Sequence, residues 1–177
     1  MKSTIWVAVL LTATVSAAST ETKKQGEPQS CKAFVQSFYS WYTPLANRTN
    51  PSGPASDLAL KYKKSAFSEN LYQALKADSE AQARSQEIVG IDFDPFLSSQ
   101  DPDPRYEVRA VKQAVNRCSA QVFGVGTGEV RVQPDVIAEL AYANGRWTIV
   151  NFQYPSLKTD LLQVLKQLAQ NRKASAQ

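Results

Sequence analysis

The stretch Val136-Ile137-Ala138-Glu139-Leu140-Ala141-Tyr142-Ala143-Asn144-Gly145-Arg146-Trp147-Thr148-Ile149-Val150-Asn151-Phe152-Gln153-Tyr154 decides the fold class. Asn-Gly between two apolar-rich runs is the strongest short-range hairpin signal, because both residues tolerate the positive φ of a tight turn. Trp147 and Ile149 share one face of the second strand. Val150, Phe152 and Tyr154 alternate onto the other face unless a bulge intervenes, and Pro155 stops the strand.

Upstream of the hairpin the period is again near two. Tyr106, Val108 and Ala110 alternate with Glu107, Arg109 and Val111, and Cys118, Ala120 and Val122 alternate with Ser119, Gln121 and Phe123. Gly124, Gly126 and Gly128 mark a turn or bulge before Val130 and Val132. Their GxGxG spacing does not match a phosphate loop.

Before Tyr106 the pattern is helical. Ser30 is placed to cap a helix from Cys31 towards Ala46, in which Phe34, Phe38, Trp41/Tyr42 and Leu45 recur at helical spacing. Residues 47–56 are dense in turn formers and end it. Asp57–Lys63 reads as a short helical turn, and Ser65–Gln86 as a second helix on the line Phe67, Leu71, Leu75. Beyond Pro155, Thr159 or Ser156 caps a last helix with the stripe Leu161, Val164, Leu165, Leu168. Helices, then an antiparallel sheet, then a helix define an α+β fold. The expected architecture is N-terminal helices packed on a curved, cone-like antiparallel sheet of about four strands, with a C-terminal helix.

At the N-terminus, Met1-Lys2, the apolar run Ile5 to Val15 and the small residues Val15-Ser16-Ala17 have the pattern of an export signal, expected to be cleaved. The run is shorter than the roughly 20 residues that span a bilayer. The expected organisation is a signal peptide at 1–17, a flexible linker at 18–29, one domain at 30–171 and a disordered tail at 172–177. The expected address is periplasmic or secreted. No cysteine stands at the cleavage site, which argues against lipid attachment. In an oxidising compartment, Cys31 and Cys118 read as a disulfide or as two separately buried thiols.

The chain carries a net charge of +4, with basic and acidic residues mixed along it. Lys61, Lys63 and Lys64 are the densest basic cluster and read as a solvated helix segment. Without a basic stripe or a binding motif, nucleic acid is a poor partner.

The chain contains no histidine, which removes Ser-His-Asp and Cys-His catalysis and imidazole zinc sites. Asp92, Asp94, Asp101 and Asp103 cluster beside Arg105, but the spacing is not that of a calcium loop. The favoured reading is a loop whose aspartates cap turns while Phe93 and Phe96 anchor it to the core. Trp41, Tyr42, Trp147, Phe152 and Tyr154 read either as core or as the lining of a ligand cleft. The last helix either lies on the sheet or offers its leucines to a partner. Asn47-Arg48-Thr49 matches a glycosylation acceptor triplet.

Three segments carry a family resemblance: Phe34-Val35-Gln36-Ser37-Phe38-Tyr39-Ser40-Trp41-Tyr42; Asp94-Pro95-Phe96-Leu97 with Gln100-Asp101; and Asn144–Phe152 with Tyr154-Pro155. Together they resemble the bacterial domain-of-unknown-function family numbered 3828, over about Cys31 to Asn171. Its members are small exported proteins, some of them lipoproteins. The resemblance implies a cone-shaped α+β fold similar to the nuclear-transport-factor-2 and cystatin-like group, and it supplies no catalytic residues.

The expectation is therefore a non-catalytic binding or accessory module of the bacterial envelope, without cofactor or metal. It would dock a cell-envelope protein or a small ligand through Trp41, Tyr42, Asp94, Phe96, Asp101, Arg105, Trp147 and Tyr154. The alternative is a small-molecule-binding or enzymatic cone with an aromatic and acidic cleft.

Overall fold

A computed structural model describes residues 30–49, 53–126 and 130–175. The expected signal peptide and linker lie outside the described residues. Four helices and a five-stranded antiparallel sheet make the α+β fold. The helices are α1 (Cys31–Ala46), α2 (Ala55–Tyr62), α3 (Glu69–Ala83) and α4 (Leu161–Ser175), with a 3-10 turn at Lys64–Ala66. The strands β1 (Tyr106–Gln113), β2 (Arg117–Gly124), β3 (Val136–Ala143), β4 (Arg146–Tyr154) and β5 (Thr159–Asp160) pair in chain order.

The hairpin turns at Asn144 and Gly145, with φ of 53° and 76°. Its register holds the explanation for the apolar pattern of β4. Leu140 faces Ile149 and Glu139 faces Asn151, so Val150 is an extra residue in the ladder. This bulge resets the alternation. Trp147, Ile149, Phe152 and Tyr154 all end on the buried face, where a regular strand would have split them between two faces. A second bulge falls at Arg109, between the pairs Val108–Val122 and Ala110–Gln121.

Helix α1 packs its buried side, Val35, Phe38, Tyr39 and Tyr42, onto the sheet. Ser30 Oγ accepts from Ala33 N at 3.2 Å and caps the helix. Gln36 reaches the outermost strand: its Nε2 donates to Tyr106 O (3.1 Å) and its Oε1 accepts from Val108 N (2.8 Å). The pair of bonds satisfies part of an otherwise unpaired sheet edge. Cys31 at the first turn is disulfide-bonded to Cys118 on β2, 87 residues away.

Four features differ from the sequence reading. The sheet has five strands because residues 159–160 pair with Gln153 and Tyr154, a bridge too short to show a period. Asp160, not Thr159 or Ser156, caps α4, its Oδ1 accepting from Gln163 N at 3.0 Å. The helix expected at Ser65–Gln86 is broken at Phe67, which is extended and bridges Ile149 before Ser68 caps α3. Finally, α4 runs through Arg172 to Ser175 where a disordered tail is expected. Arg172 Nη1 donates to Asp78 Oδ1 (2.6 Å) and Val89 O (2.7 Å), bonds that give the helix end a reason to stay ordered. Leu161 and Leu165 of α4 are buried, which sets the leucine stripe against the domain.

Candidate functional site

The segment 92–105 between α3 and β1 is tied to the core through Asp94. Its Oδ1 accepts from the backbone N–H groups of Phe96 (2.9 Å) and Leu97 (3.2 Å). Its Oδ2 accepts from Tyr42 Oη at 2.6 Å. Two further tyrosines hold the same turn: Tyr39 Oη donates to Phe96 O (2.8 Å) and Tyr154 Oη to Pro95 O (2.7 Å). Phe96 and Leu97 are fully buried beneath them. The aspartate-capped, phenylalanine-anchored loop is thus what the residues build.

Burial pushes the Asp94 carboxyl up from 3.8 to about 6, against the opposing pull of Tyr42 and the two N–H groups. Burial, and then the negative charge of Asp94, raises Tyr39 and Tyr42 well above the usual phenol range. Tyr154 is raised by the same two causes. These hydroxyls stay protonated and act as donors to the loop. Burial takes Tyr106 to about 12.

Most of the aromatic residues proposed for a cleft are packed away. Tyr42, Phe152 and Tyr154 are 0% exposed and Trp147 is 5% exposed. Phe38, Phe67, Phe96 and Phe152 fill the space between α1 and the sheet, with ring centroids 5.2–5.7 Å apart. Trp41 is half-buried on α1 beside Lys63. Asp101 and Arg105 are exposed, and Arg105 pairs with Glu107 at 3.3 Å. The structure therefore brings together Tyr42, Asp94, Phe96 and Tyr154. Trp147 packs instead against Tyr142 at the hairpin end of the sheet.

The tied loop forms one wall of a groove of about 700 Å³ that sequence reasoning did not identify. The C-terminal end of α1, the residues from Gly53 to Leu60 and one side of α3 supply the others. Leu45, Leu60, Ile88, Ile91 and Phe93 are among its apolar lining. The charged residues lining it are Asp57, Asp78, Asp92 and Asp94, with no lysine or arginine among them. Three are already engaged: Asp94 by Tyr42 and its own turn, Asp78 by Arg172, and Asp57 by Ser79 Oγ at 2.7 Å. Ile88 stands 77% exposed at the rim. No sequence period could announce this groove, because its lining comes from four segments that meet only after folding.

The remaining motifs are structural. An added Cβ at Gly124 would collide with Asp103 Oδ2, so the glycine admits that carboxylate. Asp103 in turn pairs with Arg131 at 2.6 Å, and Arg131 also pairs with Asp135. Gly128 lies outside the described residues. Asn47 of the acceptor triplet donates to Thr43 O (3.1 Å) and Asp103 O (3.0 Å), ending α1. Among the described residues, no three acidic, cysteine or histidine side chains converge as metal ligands. No described helix is long and apolar enough to cross a membrane. The disulfide is a bond of oxidising compartments, in keeping with a place outside the cytoplasm.

No protein-family model matches the chain, and no curated protein does. Among solved structures it is similar to the type VI native effector-immunity complex Tae3-Tai3 from Ralstonia pickettii. The identity is 21% and the TM-score 0.48, over 71% of this chain and 95% of that one. The selenomethionine form of that complex gives 18% identity and a TM-score of 0.42, over 70% and 95%. Both likenesses concern the backbone alone.

Proposed function

We propose that this protein is an exported, non-catalytic binding module of a bacterial cell envelope, and that a protein partner docks in the groove between α2, α3 and the 88–102 loop. The observation that carries the proposal is the character of that groove. In a chain of net charge +4, its charged lining is four carboxylates, set among apolar and a few neutral polar side chains. Charge complementarity then selects a segment that presents a lysine or arginine beside apolar side chains. The bonds from Tyr42 to Asp94, from Tyr39 to Phe96 O and from Tyr154 to Pro95 O keep one wall of the groove in place before any partner arrives, which limits the ordering cost of binding.

The exported address rests on the N-terminal pattern, the disulfide and the resemblance to family 3828. A non-catalytic role is supported by how the site uses its groups. Asp94 spends both oxygens on the fold, the tyrosines beside it are held neutral, and the chain has no histidine to serve as a base.

Affinity capture from envelope extracts tests the proposal. The wild type should retain a protein that the charge-reversed variant Asp57→Lys/Asp92→Lys releases. Equal retention by both would remove the groove from the account.

A further inference from the structure

At a separate place on the molecule, α1, the segment after α2 and the Asn144-Gly145 hairpin enclose a pocket of about 360 Å³. Its walls are the rings of Phe34, Tyr142 and Trp147, and its charged lining is Lys63 and Arg146, with no carboxylate. Tyr142 and Trp147 face each other across the hairpin, with centroids 5.0 Å apart and planes at 56°. Lys61 and Lys64 flank the pocket in sequence.

None of these four cations is in an ion pair among the described residues. The lysines are held by rings instead. The Lys63 ammonium lies 5.1 Å from the Trp41 centroid, that of Lys64 4.6 Å from Tyr72, and that of Lys61 5.2 Å from Tyr62. A ring face positions an ammonium without neutralising it. The edge thus keeps positive charges that repel one another and that an anion would relieve. Arg146 adds a planar fork suited to two oxygens of one carboxylate or phosphate.

We propose that this pocket binds a small molecule carrying an oxyanion on a flat apolar body. The anion bridges Lys63 and Arg146, and the body lies against Phe34, Tyr142 and Trp147. The site is independent of the acidic groove, whose chemistry is the opposite.

The tryptophans make the test direct. The chain has three, and apart from Trp6 they are Trp41 and Trp147, one touching Lys63 and the other lining the pocket. Protein carrying Trp6→Phe is titrated with phenyl phosphate and with inorganic phosphate while indole fluorescence is read. Phenyl phosphate should give a saturable change, with inorganic phosphate about tenfold weaker or more. The double variant Lys63→Gln/Arg146→Gln should lose about tenfold or more in affinity for phenyl phosphate, and Arg146→Lys should lose less than Arg146→Gln. Unchanged thermal unfolding of these surface variants assigns the loss to binding.

The proposal is overturned if phenyl phosphate gives no saturable change up to about 10 mM, or if the double variant binds it equally. It is also overturned if inorganic phosphate binds as tightly, since the rings then contribute nothing. Sedimentation with phosphatidylglycerol vesicles should leave the protein in solution. Binding to those vesicles without binding to phenyl phosphate would make the edge a membrane-facing surface and overturn the pocket.

Discussion

Tyr42 Oη donates to Asp94 Oδ2 at 2.6 Å, and through this bond helix α1 grips the loop that walls the groove. The two residues are 52 positions apart, so the bond exists only in the folded chain. Tyr42→Phe removes the donor and leaves a partly buried carboxylate oxygen unpaired. The expected loss is about 1–3 kcal/mol of unfolding free energy, read by urea denaturation at neutral pH.

The same carboxyl gives a pH dependence with a definite sign. Asp94 titrates near 6 in the folded protein, above its ordinary value of 3.8. The protonated group therefore contributes stability that is fully present below about pH 4 and is lost as pH rises through about 6. The rise from 3.8 to about 6 corresponds to a contribution of up to about 3 kcal/mol, less where water reaches the group. In Asp94→Asn this slope should vanish. Urea titrations of both proteins at intervals between pH 4 and 7.5 check it, because their stability difference must change across that window.

The disulfide joins the first turn of α1 to β2 and closes a loop of 87 residues. In the chain-entropy model, a loop of that length stabilises the fold by about 4–5 kcal/mol. The paired change Cys31→Ser/Cys118→Ser should lower the unfolding free energy by an amount of that order, and reduction of the wild type should approach the same value.

Arg172 closes the other side of the domain by pairing with Asp78, which is only 6% exposed, and with Val89 O. Arg172→Ala leaves a buried carboxylate without its cation. A cost of about 2–4 kcal/mol is expected, reduced from the fully buried case because the arginine is partly in water. Hydrogen exchange should quicken at Val89 and Ile91, whose segment the pair secures.

The legible part of this fold is the part written in short-range pattern. The Asn144-Gly145 turn, the capped start of α1 at Ser30 and the turn capped by Asp94 each depend on neighbours within a few residues. The bulge at Val150 was visible as a conflict, since β4 carries buried residues at odd positions up to 149 and at even positions from 152. The two-residue β5, the break at Phe67 and the ordered Arg172 were not visible, because each is held by a partner far away in sequence. For the same reason the aspartate cluster could be read as a capped loop, while the Tyr42 bond and the groove beside it could not be placed. Phe152 and Tyr154 illustrate the opposite error: their aromatic character fits a cleft as well as a core, and only packing separates the two.

The groove is the centre of the functional account, and cross-linking from its rim tests it most directly. A photoreactive p-benzoylphenylalanine placed at Ile88, 77% exposed at the rim, is compared with one at Val115, 91% exposed on the β1–β2 turn. In envelope extracts, position 88 should cross-link to a discrete protein that position 115 does not capture, and Asp57→Lys/Asp92→Lys should abolish the adduct. The same adducts from both positions, or an adduct at 88 that survives the charge reversal, would contradict docking in this groove.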